Sequence, residues 1–144
     1  MIRGGWSIDF PRLDAARLFA LAVDIESYPQ FLPWCRSARV RRRDGGVLDV
    51  DNHFGAGPLD VRFCSRAVAE EPTRLEITSE DGPFRRFRLV WLFEPQADGG
   101  CRVLADYELS LRSPLLQSLA RLSMPELERK VARRFRDRAR MLYG

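Results

Sequence analysis

Few side chains in this 144-residue sequence have the type and spacing that catalysis requires. His53 is its single histidine, and it shares strand parity with Asp49 and Asp51, so we expect it to face solvent. A Ser-His-Asp triad, a Cys-His pair or a metal site would need a second histidine or an unusually placed carboxylate pair. Asp106 and Glu108 share one face of a strand, but that face is polar and poorly suited to acid-base work. We therefore predict no catalytic residue and no metal ligand.

The cysteines offer no other chemistry. Cys35, Cys64 and Cys101 are widely spaced and form no CxxC pair, so neither a disulfide framework nor a zinc site is expected. Hydrophobic residues make up 45% of the chain and charged residues 31%, which is typical of a globular protein in water. No segment approaches the roughly 20 apolar residues that span a bilayer, and the N-terminus lacks the apolar run of a secretory signal. These features predict a cytoplasmic protein.

Arginine dominates the basic residues of the chain. The formal net charge is +4, and arginine is dense in residues 36–43 and 129–140. Such runs are commonly solvated faces, and the alternative is contact with acidic lipid or with RNA. We expect no DNA binding, and we keep open a peripheral position on the inner face of the membrane.

Alternating apolar and polar residues predict an antiparallel sheet of about six or seven strands. Asp14 is placed to cap a short helix that ends near Asp24. Turns are expected at residues 44–46, 55–58 and 81–83, where glycine is frequent. The predicted strands cover residues 6–10, 36–43, 47–54, 59–63, a segment around 75–77, 87–93 and 101–111.

A long C-terminal helix is predicted to cover one face of this sheet. Pro125 predicts either a kink or a break, and Ser123 and Glu126 have the spacing of a capping box for a second helical segment. The apolar residues assigned to one stripe of the helix are Leu127, Val131, Phe135, Ala139 and Leu142, extended upstream by Leu115, Leu116, Leu119 and Leu122.

Sheet and helix together predict an α+β fold in a single domain over residues 1–144. The sheet face that carries Trp91, Phe93, Tyr107 and Leu109 is expected to meet the helix, because these are the two largest apolar surfaces. A strongly curved sheet under one helix tends to leave an apolar cavity between them. Periodicity alone does not decide between such a cavity and a fully packed core.

Several motifs, in order along the whole chain, resemble one family. Asp24 followed by Tyr28 to Cys35, YPQFLPWC, resembles the signature of the coenzyme Q-binding proteins of the START-like, polyketide cyclase/dehydrase-like superfamily, which includes the RatA ribosome-association toxin group. Asp81 to Phe84 resembles the DGPF turn of that family, and Trp91 to Pro95 resembles the end of its W-x-F-x-P strand. Residues 113–116 and 135–144 are similar to the entry and the end of its last helix. Val90 and Pro125 depart from its usual pattern, and both are expected beside the tunnel.

The resemblance implies a START-like helix-grip fold with a hydrophobic tunnel between helix and sheet. It also implies a non-enzymatic carrier or chaperone of ubiquinone (coenzyme Q) that supports respiration and requires no cofactor. The alternatives are a RatA-like protein that binds a ribosomal subunit and blocks subunit association, and a cyclase or hydrolase. The predicted ligand-binding residues are Phe31, Leu32, Trp34, Phe63, Phe84, Trp91, Phe93, Leu127 and Val131.

Overall fold

The computed structural model describes residues 1–56 and 59–144, and within these ranges it confirms the α+β helix-grip arrangement. The strands are β1 (Ile2–Phe10), β2 (Cys35–Asp44), β3 (Val47–Ala56), β4 (Leu59–Glu70), β5 (Arg74–Ser79), β6 (Phe84–Pro95) and β7 (Cys101–Leu111). The helices are α1 (Ala15–Val23), a 3-10 helix (Ile25–Gln30) and α2 (Pro114–Tyr143). The described strands form one antiparallel sheet in the order β1-β7-β6-β5-β4-β3-β2. Part of the turn predicted at 55–58 lies outside the described residues.

Local chemistry explains where these elements begin and turn. The Asp14 carboxylate accepts a hydrogen bond from the Arg17 backbone N–H at 3.0 Å, which caps α1 as predicted. In the turn before β6, the Asp81 carboxylate accepts from the Cys64 N–H at 2.7 Å. Gly82 follows with a φ of 61°, and a Cβ there would lie 2.7 Å from the Arg62 carbonyl oxygen. Only glycine fits that turn without strain.

The concave face of the sheet carries the core. Phe87, Leu89, Trp91 and Phe93 share this face on β6, as predicted, and both α1 and α2 pack against the sheet. The largest fully buried side chains lie here or on the helices above it, namely Phe93, Phe135, Ile8, Leu18, Leu48 and Leu75. Burial of these side chains is the main stabilising contribution to the fold.

Cross-strand ion pairs cover the convex face. Arg66 pairs with Asp49 at 2.9 Å and Arg102 with Asp9 at 2.8 Å. His53 lies on this face, as its parity predicted, but it pairs with Asp60 and its side chain is only 18% exposed. The expectation of a solvent-facing histidine is therefore only partly right.

Val90 also occupies the convex face, because it alternates with the inward-facing Trp91. The expectation that Val90 borders a tunnel was wrong for this reason. The residue pairs across the sheet with Asp106 on β7 and Glu76 on β5.

Helix α2 runs as one helix through Pro125. The Ser113 side chain accepts from the Leu116 N–H at 3.2 Å, and Pro114 occupies the first helical position, where its missing N–H costs nothing. Of the two alternatives predicted at Pro125, the break was wrong, and so was the capping box of a second helical segment. The Ser123 hydroxyl donates instead to the Leu119 carbonyl oxygen at 2.9 Å, a bond within the same helix.

The upstream extension of the apolar stripe was also wrong. Contacts of Phe135 and Ala139 with the core fix the rotation of α2 about its axis. At about 100° per residue, three of the upstream leucines then lie on the opposite side of the helix from Phe135. The exposed fractions are 69% for Leu115, 51% for Leu119, 81% for Leu122 and, at the C-terminal end of the stripe, 48% for Leu142. The residues that pack inward upstream are Ala120 and Met124.

Candidate functional site

Two of the predicted ligand-binding residues, Trp91 and Phe93, lie in a closed aromatic cluster under the C-terminal half of α2. We name Trp6, Trp91, Phe93 and Phe135 the tryptophan cluster. The ring centroids of Trp91 and Phe135 are 5.0 Å apart, and those of Trp6 and Trp91 are 5.5 Å apart. Trp91 is 4% exposed and Phe93 2%. This contact confirms that β6 meets α2, and these rings form core as well as candidate site.

Phe63 and Phe84, also predicted, belong to a second group at the other end of the concave face. We name Phe54, Phe63, Phe84 and Phe87 the phenylalanine cluster. Successive ring centroids in that order are 5.1, 4.8 and 5.1 Å apart, and the first two contacts are edge-to-face. Phe63 is buried, whereas the other three are only half-buried. Together with the half-buried Leu89, they make an inward-facing apolar surface that solvent reaches, which we call the apolar groove.

The remaining predicted aromatic residues form a wedge beside α2. Leu32 is buried, and Phe31 and Trp34 are half-buried and pack against the core. The Arg138 guanidinium lies 5.5 Å from the Phe31 ring centroid and donates to the Gln30 side-chain oxygen at 2.7 Å. A cation over an aromatic face is attractive, so this contact joins the wedge to the last helix.

Two ionisable groups of the wedge are buried. The Tyr28 hydroxyl donates to the Ala22 carbonyl oxygen, and burial raises its pKa well above the ordinary value. Burial likewise raises the pKa of the Cys35 thiol to about 11. Both groups are neutral at physiological pH, so the wedge presents no charge of its own from these residues.

Helix α2 brings Leu127 and Val131 to the site as half-buried side chains, and Val131 packs against the core. Between them, Glu128 accepts a hydrogen bond from the Tyr107 hydroxyl of β7. Burial, and next this bond, raise the pKa of Tyr107. A Cβ on Gly4 would meet both the Glu128 carboxylate and the Tyr107 hydroxyl, so a larger residue there would displace this bonded pair of side chains.

Sequence reasoning missed three polar side chains on the concave face. Asn52, Ser65 and Ser79 are each less than 10% exposed. The Asn52 amide donates to the Ser65 hydroxyl at 2.9 Å, and the Ser79 hydroxyl donates to the Cys64 carbonyl oxygen at 2.6 Å. Strand parity was the available signal, because Asn52 lies two residues from the inward-facing Val50 on the same strand.

Polar hollows lie on the other side of the sheet. The larger has a volume of about 580 Å³ and is lined by Arg41, Asp49, Arg66, Arg86 and Arg88 among others. Most of this lining is charged or polar, and Phe87 of the phenylalanine cluster also borders it. Within residues 1–56 and 59–144, no group of three or more His, Cys, Asp or Glu side chains could hold a metal ion. In the same ranges, no helix is long and apolar enough to cross a bilayer.

The chain is similar in sequence and in fold to known proteins. The ribosome association toxin RatA of Pseudomonas aeruginosa is 28% identical over 130 residues, covering 90% of each chain. Coenzyme Q-binding protein COQ10 homolog B, mitochondrial, of Xenopus laevis is 24% identical over 132 residues, covering 89% of this chain and 54% of that protein. The solution structure of an 18 kDa protein from Caulobacter crescentus superposes with a TM-score of 0.80 at 28% identity, covering 100% of this chain and 99% of that one.

The family model described as polyketide cyclase / dehydrase and lipid transport matches residues 12–136. That range contains the wedge, the phenylalanine cluster and most of α2, and it leaves out β1 and the end of α2. The chain therefore belongs to the polyketide cyclase / dehydrase and lipid transport family.

Proposed function

We propose that this protein binds a hydrophobic small molecule without catalysing a reaction, and that the ligand is ubiquinone or a closely similar prenylated quinone. The observation that carries the proposal is the apolar groove. Phe84, Phe87 and Leu89 face inward on a folded sheet yet keep contact with solvent. Inward apolar surface that the protein leaves partly uncovered is the usual form of a small-molecule site.

The side chains around the groove suit the two parts of such a ligand. A flat quinone ring can stack on phenylalanine or tryptophan, and the aliphatic side chains of Leu89, Leu127 and Val131 suit an isoprenoid tail. Burial contributes about 25 cal/mol per Å² of apolar surface before association costs are subtracted. The name of the Xenopus relative, a coenzyme Q-binding protein, supports the same ligand class.

A fluorescence titration with decyl-ubiquinone tests this proposal. We expect quenching of tryptophan emission, because a bound quinone would lie near Trp34 or Trp91. Phe84→Ala should weaken binding, whereas Leu122→Ala, 81% exposed on the far side of α2, serves as the matched control and should not. Unchanged emission at saturating quinone in the wild-type protein would contradict the proposal. Mass spectrometry of solvent extracts from natively purified protein would identify a bound molecule directly.

A carrier of such a ligand must meet a membrane, and we propose that the N-terminal half of α2 does so. Leu115, Leu119 and Leu122 are exposed there, and the exposed Arg129 and Arg133 follow on the same side of the helix. Apolar side chains flanked by cations favour an acidic bilayer surface, where each arginine contributes about 1 kcal/mol. Acidic vesicles should sediment more protein than neutral vesicles, and Leu119→Ser with Leu122→Ser should reduce that difference. Equal sedimentation by both vesicle types at low salt would contradict membrane contact.

Binding to a ribosomal subunit is the second candidate function. Arg129, Lys130, Arg133, Arg134 and Arg140 are exposed along the C-terminal half of α2, and several relatives are named as ribosome association toxins. Basic side chains in this density can neutralise RNA phosphates and would give steeply salt-dependent binding.

Charge reversal separates the two candidates. Arg133→Glu with Arg134→Glu should abolish cosedimentation with ribosomal subunits and leave quinone quenching unchanged. Cosedimentation that survives both this change and raised salt would contradict a role for the basic helix face.

A further inference from the structure

Two buried hydrogen-bond donors face the interior without an acceptor. The indole Nε1–H groups of Trp6 and Trp91 are both buried, and no hydrogen-bond partner is found for either among the residues that the structure describes. Trp6 on β1 and Trp91 on β6 both pair with Ala105 on β7, so the two indoles flank one small side chain on the concave face. The donors therefore belong to one place in the fold.

Leaving these donors unpaired is costly. A buried N–H group without an acceptor destabilises a protein, and native structures contain few such groups. The two rings meet edge-to-face, with planes at 82° and centroids 5.5 Å apart. In that geometry one ring points its edge at the face of the other, so an N–H···π contact can satisfy at most one of the two donors. At least one indole N–H remains available.

We propose that Trp6 and Trp91 form a donor site for a carbonyl oxygen of the bound ligand. The inference rests on the proposed function, in which the ligand lies on the concave face. Two N–H groups in an apolar setting suit a neutral acceptor such as a quinone carbonyl, because burying an anion there would cost far more. Since Trp91 is 4% exposed and lies against Phe135, the ligand reaches the site when α2 moves away from the sheet.

Indole resonances give a direct test. The sequence contains three tryptophans, so a ¹⁵N-labelled sample shows three indole N–H signals, which single substitutions at positions 6 and 91 assign. Decyl-ubiquinone should move the signals of Trp6 and Trp91 downfield as hydrogen bonds form. A comparison compound with the same tail and ring substituents, in which methyl groups replace both carbonyl oxygens on an aromatic ring, should bind without this shift.

A substitution that removes only the donor provides the second measurement. Benzothienylalanine keeps the shape of tryptophan but carries sulfur in place of the N–H group. At position 6 or 91 it should weaken quinone binding roughly tenfold and leave the urea midpoint of unfolding unlowered, because no hydrogen bond within the protein is lost. The comparison compound provides the matched control, because its affinity should be unchanged by benzothienylalanine at either position.

The outcomes separate this inference from the function on which it rests. If quinone and comparison compound bind equally and the Trp6 and Trp91 signals stay in place, the donor site is wrong although the hydrophobic site stands. If neither compound binds, the proposed function fails and the donor site fails with it. An affinity unaffected by benzothienylalanine at both positions would also overturn the donor site.

Discussion

The two halves of α2 make opposite contributions to the molecule. The C-terminal half buries Phe135 and Ala139 completely against the sheet, at 1% and 0% exposure. The N-terminal half places Ala120 and Met124 inward but leaves Leu115, Leu119 and Leu122 exposed. The C-terminal half therefore stabilises the fold. The N-terminal half lies above the apolar groove and exposes apolar side chains to solvent. We expect the proposed ligand to enter beneath the N-terminal half of α2, and a shift of the C-terminal half is needed only for it to reach Trp91.

The largest effect should follow from Phe135→Ala. The Phe135 ring contacts Trp91 and Phe10 in the core, with centroids 5.0 and 6.1 Å away. Removing it should lower the free energy of unfolding by about 3–5 kcal/mol, as measured by urea denaturation. Leu122→Ala, on the exposed half of the helix, should change it by less than about 0.5 kcal/mol. Similar losses of unfolding free energy from both substitutions would show that the two halves of α2 contribute equally to stability.

A carboxylate at Val131 should have the next largest effect. Val131 is half-buried against the core, so Val131→Asp places a charge where water reaches it poorly. We expect a loss of about 2 kcal/mol in unfolding free energy, together with weaker quinone binding. Arg134→Asp, on an exposed side of the same helix, is the control and should have little effect on stability. A stable Val131→Asp variant would mean that α2 is free to turn this residue to solvent.

The bond between Tyr107 and Glu128 should make stability depend on alkaline pH. The folded protein raises the pKa of Tyr107 above its ordinary value of 10.0. The folded state therefore holds the Tyr107 proton more tightly than the unfolded state does. The resulting stabilisation is complete below about pH 10 and is lost as the pH rises through the higher folded-state pKa. Tyr107→Phe should cost about 1–2 kcal/mol at neutral pH.

The difference in free energy of unfolding between the wild-type protein and Tyr107→Phe should shrink as the pH rises above 10. Equilibrium unfolding of both proteins across the alkaline range measures this change, and Tyr28 is retained in both. A difference that stays constant would show that the Tyr107 hydroxyl does not titrate with unfolding.

The smallest effect should come from Arg138, which joins α2 to the wedge through Phe31 and Gln30. Arg138→Gln should cost less than about 1 kcal/mol, because the contact is exposed to solvent. Amide hydrogen exchange in the 3-10 helix Ile25–Gln30 should nevertheless become faster. Arg133→Gln is the control, and equal exchange rates in the two variants would rule out a role for this contact in holding the wedge.

Strand parity and turn chemistry made most of the fold predictable. Every predicted strand is present. Asp14 caps α1, and Asp81 lies in a turn before β6, as their residue types indicated. The rotation of α2 was predictable in principle, because Leu115, Leu119 and Leu122 fall opposite Phe135 on a helix of 3.6 residues per turn. Leucine content misled the prediction, since an apolar residue signals burial only when the helix presents it to the sheet.

The candidate site was harder to predict. Phe63 and Phe84 come together only because β6 has an irregular register near Phe84, which periodicity does not reveal. Trp91 and Phe93 were identified as inward-facing, but whether a ligand or Phe135 covers them depends on packing across the whole chain. The unpaired donor of Trp6 could not be inferred at all, because hydrogen-bond partners are a property of the assembled interior.

The position of β1 at the sheet edge has a consequence for how the chain folds. β1 pairs only with β7 in the described sheet, and Ile2 lies opposite Leu109. Such pairing closes a very long loop, which is slow, whereas β2 to β7 can form as successive local hairpins. During synthesis the first strand must therefore wait until the last has left the ribosomal exit tunnel. The interior around Trp6 is completed only then, so a nascent chain halted before β7 would have its hairpins but no finished core.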